Sequence, residues 1–324
     1  MKAITIEKDK ALLWSDVPEP KTGDNDVLIE VEYAAVNRAD LMQVDGCYPP
    51  PPGCPDYPGL EVSGTVKATG KSAEKFRVGD KVCALLGGGG YAEYVSVNEG
   101  MVMPVPNNVS MREAAAIPEA FATAHLNLAI EGGVKRGDTV LMHAGASGLA
   151  SVVIPMAKSM GAYVVTTIID ESKRTAVEKL KPDLIVNTAK EDIIEILKRL
   201  EAEGIPVNCA IDCLGGEIAG KCLPHLGYMA KWIMIATLAG DLTEVDMRKL
   251  YVKNVRLVGS TLRSKPESYK SEILSSLVSQ MWDKVSAGEI RPTVFAELPI
   301  TDAQKAHNLL RENKSAGKVV LRVN

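Results

Sequence analysis

Two places in this chain hold residue types that could do chemistry. The first is Tyr48, which stands between Gly46 and a run of prolines at positions 49–52. Proline fixes φ and excludes helix, so the phenol belongs to an extended loop and not to a strand interior. There it can donate a hydrogen bond to a ligand carbonyl, or simply pack. Earlier in the chain, Asn37 opens Asn37-Arg38-Ala39-Asp40. Its amide is a second candidate contact, and it could equally close a turn through its own side chain. The second place is residues 139–170. A short apolar run, Thr-Val-Leu-Met-His, meets Ala-Gly-Ala-Ser-Gly-Leu-Ala-Ser, then a helix-length apolar segment, then Gly-Ala-Tyr-Val-Val-Thr-Thr-Ile-Ile-Asp. That is the layout of a β-α-β unit, whose backbone N–H groups at the turn and helix start can hold a pyrophosphate. A tight strand-to-helix turn of an ordinary α/β domain would look similar. Two features are awkward. Ala150 stands where a third glycine is expected, and Pro155 falls inside the helix, where it removes a hydrogen bond and predicts a kink.

The elements that must position these residues divide the chain. Residues 1–6 and 27–33 read as strands, separated by a turn region at 17–23. Further short strands follow around Thr65-Val66, Val78-Gly79-Asp80-Lys81-Val82 and Tyr91-Ala92-Glu93-Tyr94-Val95, with four glycines at 87–90 between two of them. Many short strands with turns predict a small β-barrel. Residues 111–116 and 118–129 read as helices. Then strand and helix alternate: strands at 184–187, 209–212, 232–235 and 255–259, and helices at 173–180 and 192–203. The repetition predicts a parallel doubly wound sheet. Ligands in such sheets sit beyond the carboxyl ends of the strands, here Gly145, Ile168, Thr188, Leu214 and Thr237. A helix over 265–285 with Pro266 in its first turn follows. After it come a strand at 294–298, a helix at 303–313 capped by Thr301-Asp302, and a last strand at 318–323. This mixed stretch suggests that the chain re-enters its first domain.

Bulk properties narrow the class. The 324 residues suffice for two domains, and 46% hydrophobic with 24% charged residues is the balance of a soluble globular protein. A net charge of −4 without a long basic run makes nucleic acid an unlikely partner. Cysteines 47, 54, 83, 209, 213 and 222 form no C-x-x-C pair, so free thiols in a reducing compartment are expected. No signal peptide and no membrane-length apolar run are visible, and a cytoplasmic protein is the expectation.

The ordered motifs carry a family likeness. They are Asn37-Arg38-Ala39-Asp40-Leu41-Met42-Gln43, Gly46-x-Tyr48-Pro49-Pro50-Pro51, Gly59-Leu60-Glu61-Val62-Ser63-Gly64 and Val78-Gly79-Asp80-Lys81-Val82. With them go Ala114-Ala115-Ala116-Ile117-Pro118-Glu119-Ala120, His143-Ala144-Gly145-Ala146-Ser147-Gly148, Asp212-Cys213-Leu214-Gly215-Gly216, Thr261-Leu262-Arg263-Ser264 and Gly317-Lys318-Val319-Val320-Leu321. The chain resembles the zinc-free quinone oxidoreductase (zeta-crystallin-like) branch of the medium-chain dehydrogenase/reductase superfamily. The resemblance implies an α/β protein: a GroES-like β-barrel catalytic domain from residues 1–118 and 264–324, and a doubly wound Rossmann domain from 119–263. It implies a nicotinamide cofactor, usually NADPH, a small quinone or enone substrate, and a homodimer or homotetramer built through the Rossmann sheet.

The resemblance also bears on residues. Zinc-bearing relatives place ligands at positions matching Asn37, Leu60 and Glu119. Leu60 cannot ligate, and an amide with one carboxylate makes a poor zinc site, so no metal is expected. Without a Lewis acid, the chemistry turns to electron-poor acceptors. Tyr48 is then expected to hydrogen-bond the acceptor oxygen, and Asn37 to orient the nicotinamide or its ribose. Gly145, Ser147, Gly148 and Leu149 fall on the phosphate side, and Thr123, Leu214 and Leu238 line the nicotinamide. Lys173 matches a lysine that grips a 2′-phosphate, whereas the family's tyrosine position holds Thr188. Asp170 and Glu171 bring two negative charges close by, so NADPH is favoured while NADH stays possible. The expected activity is that of an NADPH:quinone reductase. A 2-enoyl thioester reductase and a cofactor-binding structural protein with little catalysis are the alternatives.

Overall fold

The structure is a computed structural model that describes residues 1–323. Its first segment runs through β1 (Lys2–Ile6), β2 (Leu12–Asp16), β3 (Asp26–Val36), α1 (Arg38–Val44), β4 (Glu61–Thr69), β5 (Lys81–Leu85), β6 (Tyr94–Asn98) and β7 (Val102–Pro104) to α2 (Met111–Ala114) and α3 (Pro118–His125). The middle contains β8 (Thr139–Met142), α4 (Ala150–Ser159), β9 (Tyr163–Ile168), α5 (Arg174–Glu178), β10 (Leu184–Asn187), α6 (Ile193–Ala202), β11 (Val207–Asp212), α7 (Gly216–Cys222), β12 (Lys231–Met234), α8 (Met247–Val252) and β13 (Arg256–Gly259). The chain closes with α9 (Glu267–Ser286), β14 (Val294–Pro299), α10 (Ala303–Arg311) and β15 (Lys318–Arg322). Two compact units result: Met1–Ala122 with Arg263–Asn324, and Thr123–Leu262.

In the first unit, β14, β15, β3, β4, β5 and β7 lie side by side, and β6 also pairs with β3. Strand β3 alternates: Val27, Ile29 and Val31 are buried, and intervening residues keep some solvent contact. That period of two puts one face on the core, where Ile4, Val62, Val66, Val82, Tyr91 and Leu321 join them. Strand β1 falls within the strand expected over residues 1–6, whereas its hairpin partner β2 and helix α1 are additions to the sequence reading. Both are short and carry little periodic signal. Pro266 corrects another detail: it is the N-cap, one residue outside α9, with extended ψ of 146°. Asp302 stands at the N-cap of α10 as expected, but its side chain makes no capping bond there. It takes the ammonium of Lys305 instead.

The second unit has one six-stranded parallel sheet in the order β10-β9-β8-β11-β12-β13. Central strands are covered on both faces, so they read as continuous apolar runs; all of β8 is buried. Helix α6 shows the opposite pattern, an apolar stripe of Ile193, Leu197 and Leu200 with Asp192 capping its start through the Ile194 N–H at 2.9 Å. Helix α4 stays continuous across Pro155. The helix expected through residue 129 is α only to His125; residues 126–131 widen into a π-helical turn, closed by the Gly132 N–H on Asn127 O. Among the described residues no helix is long and apolar enough to cross a membrane.

Candidate active site

The first unit is built around an ion pair removed from water. Glu61 opens β4 and Lys318 opens β15; both are buried, with Nζ 2.5 Å from Oε1. Both strands flank β3, and Asn37 directly follows β3, so sheet register brings the three together. Lys318 Nζ donates to Asn37 Oδ1 at 2.6 Å, and Asn37 Nδ2 donates to Glu61 Oε1 at 3.0 Å. The second oxygen, Glu61 Oε2, accepts the Glu119 backbone N–H at 2.8 Å. Desolvating two ions costs several kcal/mol each, so such a pair survives only with its remaining hydrogen-bonding positions met, as they are here.

Asp40 is buried next to this pair. Its Oδ2 accepts the Asn37 N–H at 2.7 Å and the Tyr91 hydroxyl at 3.2 Å, and its Oδ1 accepts the Gly59 N–H at 3.0 Å. Burial outweighs these bonds and lifts the carboxyl to about 6. The Tyr91 oxygen lies 3.3 Å from His307 Nε2. His307 is pushed down to about 4 by burial and then by the Arg311 charge.

Tyr48 is half-buried, and what holds its loop is Arg263, which is 5% exposed. The guanidinium donates to Tyr48 O at 3.0 Å, to Gly87 O at 2.9 Å and to Gln43 Oε1 at 2.6 Å. Its central carbon lies 5.0 Å from the Tyr48 ring centroid, a cation–π contact. No carboxylate forms an ion pair with it among the described residues. Burial raises the Tyr48 phenol above its ordinary value; the Arg263 charge pulls it down and Glu119 pushes it up. The Tyr48 hydroxyl makes no hydrogen bond with any described residue, and neither does the Glu119 carboxyl.

In the second unit the phosphate-side residues lie at the end of β8. The N–H groups of Ala146, Gly148 and Leu149 have no acceptor among the described residues. Ser147 instead serves the loop: its Oγ accepts the Ala150 N–H at 3.1 Å. A Cβ on Gly145 would lie 2.4 Å from Thr166 Oγ1, so only glycine lets the turn sit on β9. Three free donors on a glycine turn opening a helix suit a pyrophosphate. Of the nicotinamide-side residues, Leu214 has both backbone groups engaged, its N–H on Asp212 Oδ1 and its O taking the Ala239 N–H. Leu238 is half-exposed after β12, its N–H on Cys213 O. Thr123 O accepts Asn127 Nδ2 at 2.8 Å.

The charges near Lys173 are not as the sequence suggested. Asp170 Oδ1 is used up as a cap on the Ser172 N–H at 2.9 Å. Glu171 is bonded by Arg174 and by Asn187 Nδ2, with Lys190 at 3.5 Å. Arg174 and Asn187 hold its carboxyl down at about 2. Lys173, Arg174 and Lys190 thus stand among four carboxylates, since Glu178 and Glu191 also act on Arg174, and of the four Asp170 and Glu171 are committed to local bonds. Arg174 was missed because a charged residue in a short exposed helix carries no distinguishing pattern. Glu61, Lys318 and Arg263 were missed as partners because each pairs with residues far away in the chain.

The donor set at the relatives' zinc positions does not fit a zinc ion. Leu60 is a buried aliphatic side chain and both ends of the Asn37 amide are taken. No group of three His, Cys, Asp or Glu able to hold a metal occurs among the described residues.

Comparison with known proteins matches two family models: the alcohol dehydrogenase GroES-like domain over residues 23–107, and the zinc-binding dehydrogenase family over residues 148–279. The mouse protein named quinone oxidoreductase-like protein 2 is 27% identical over 321 residues, covering 98% of this chain and 91% of its own. A mycobacterial protein solved in complex with NADPH is 29% identical, with a TM-score of 0.86 over 100% of both chains. A solved NAD-dependent alcohol dehydrogenase is 28% identical, with a TM-score of 0.85 over 100% of both chains.

Proposed function

Because the chain belongs to the medium-chain dehydrogenase/reductase superfamily, we propose that it is an NADPH-dependent oxidoreductase that reduces quinones or conjugated carbonyls without zinc. The observation that carries this reading is the Tyr48 hydroxyl: unpartnered, half-buried, and backed by a buried guanidinium, in a unit whose Leu60 cannot bind a metal. An acceptor already poor in electrons needs no Lewis acid. It needs a donor where negative charge develops, and Tyr48 supplies one. The Arg263 contact keeps the phenol oriented toward that task. Asn37 acts differently from a free amide: locked between Glu61 and Lys318, it sets the backbone at the start of α1.

The nicotinamide cofactor supplies the hydride when bound. The N–H groups of Ala146, Gly148 and Leu149 fit its pyrophosphate, with Gly145 and Ser147 shaping the turn. Lys173 offers positive charge to a 2′-phosphate, while Arg174 and Glu171 satisfy each other and Asp170 is taken up as a cap, which favours NADPH over NADH. The partner of the same chain is a second copy. Strand β13 is a sheet edge with Leu257 exposed, and Tyr251 and Val252 are exposed beside it.

Cofactor oxidation measured in parallel with 1,2-naphthoquinone, an alkenal and an enoyl thioester tests the reading. Turnover of the first two, lowered in Tyr48→Phe with NADPH affinity unchanged, is the expected result. Preferential turnover of the thioester would move the protein to enoyl thioester reduction. Tight cofactor binding without turnover of any acceptor would make it a binding protein.

A further inference from the structure

Hydride reduction leaves the acceptor one proton short. A C–H bond forms at carbon, the acceptor's π electrons move to its oxygen, and that oxygen gains H⁺ to give an enol, which tautomerises to the hydroquinone or to the saturated carbonyl. Tyr48 can steady the oxygen, but a phenol raised above its ordinary value is a poor sole source of the proton. Neither the Tyr48 hydroxyl nor the Glu119 carboxyl bonds any described residue. Resting on the reductase reading above, we infer that Glu119 is the general acid, giving its proton to the reduced acceptor oxygen that Tyr48 holds, and recovering it from solvent.

Glu119 is built into the site. It lies in the first turn of α3, and its backbone N–H is tied to Glu61 Oε2 at 2.8 Å. That bond anchors the residue to the Glu61–Lys318 pair while leaving its carboxyl unbonded. The carboxyl is removed from water, while the residue as a whole keeps some solvent contact. Four charged groups from separate parts of the first unit act on it. Glu61 on β4 and Asp40 on α1 disfavour ionisation, and Lys318 on β15 and Arg263 favour it. Burial with the two carboxylates prevails and the carboxyl is raised to about 8. At neutral pH it therefore carries a proton. Once the proton has left, Arg263 and Lys318 stabilise the carboxylate. An acid that is neutral before the step and countered by cations after it is matched to its task. The electron balance is complete: the acceptor gains the hydride's electron pair, and Glu119 contributes only H⁺.

The test pairs a spectroscopic titration with kinetics. In the protein without cofactor, an infrared band of a protonated carboxyl should be present at pH 7, fade as pH rises through about 8, and be absent in Glu119→Gln. With 1,2-naphthoquinone, wild-type turnover should fall above the same pH. Glu119→Gln should be at least ~10-fold slower and lack that limb, with NADPH affinity unchanged. Glu119→Asp, which restores an acid, should recover part of the rate and the pH limb. A carboxyl already ionised at pH 7, or Glu119→Gln with wild-type turnover and pH profile, overturns the assignment. If Tyr48→Phe is still impaired in that case, the reductase reading stands without it. If wild-type protein turns over no quinone or enone, both fall together.

Discussion

Replacing Arg263 by lysine keeps the charge and removes the fork. The guanidinium serves three acceptors on three separate segments: Gln43 in α1, Tyr48 on the proline loop and Gly87 in the glycine loop. A single ammonium cannot point at all of them, so about two acceptors lose their donor, of which Gln43 is buried and the two carbonyls part-buried. At 1–3 kcal/mol for an unmet buried group and less for a part-buried one that water can reach, the first unit should lose roughly 1–3 kcal/mol. The Tyr48 ring also loses its planar cation, and its loop is released. A shift of about 1 Å in a positioned group costs on the order of 100-fold, so turnover should drop roughly 10- to 100-fold. Stopped-flow kinetics with 1,2-naphthoquinone, with NADPH binding followed by fluorescence, would separate turnover from cofactor affinity, which should not change. The decisive comparison is the cycle of Arg263→Lys, Tyr48→Phe and the double variant. Residues acting through one contact couple by at least ~0.5 kcal/mol, so the lysine should cost less once the phenol is gone. Wild-type turnover in Arg263→Lys, or strict additivity in the cycle, refutes the positioning argument.

Lys318→Met leaves Glu61 buried and unpaired, and should cost about 3–5 kcal/mol in urea unfolding; adding Glu61→Gln should restore part of it. His307 has its folded value depressed to about 4, so its contribution is present above pH 6.5 and lost as pH falls toward 4, about 3 kcal/mol in all. Asp40, raised to about 6, acts oppositely between pH 4 and 6. The readout is therefore the difference between wild type and His307→Gln, whose acid-side loss should be smaller. Gly145→Ala places a methyl 2.4 Å from Thr166 Oγ1 and should weaken NADPH binding at least ~10-fold by fluorescence titration; unchanged affinity would take the pyrophosphate away from this turn. Leu257→Lys on the edge of β13 should lower the mass seen by light scattering if copies pair there.

Much of the second unit could be read directly from the chain. Strand β10 falls where the sequence put it, and β11, β12 and β13 begin or end within two residues of their expected positions, because buried parallel strands are continuous apolar runs between polar turns. The first unit was harder. Strand β1 was legible, but its partner β2 is only five residues long and α1 is a seven-residue helix with half its surface in the core, so neither of these has a strong period. Tyr48 stood out because glycine and proline isolate it on a loop. Glu119 was visible only as a failed metal ligand, since nothing local to it says which charges it will meet.

By itself the sequence determined the alternation of strands and helices and the glycine turn that suits a pyrophosphate; the significance of Leu60 came only from the likeness to zinc-bearing relatives. The alternation and the turn are local properties, written in spacing and side-chain type. Only the tertiary structure decided which charges meet. Arg263 reaches Tyr48 across 215 positions, and Lys318 reaches Asn37 across 281. The register of β15 on β3 and of β3 on β4 closes that second distance. Periodicity records how deeply a residue is buried, but not which distant residue shares its surroundings. The ionisation of Glu119 and the hold on Tyr48 follow from those surroundings.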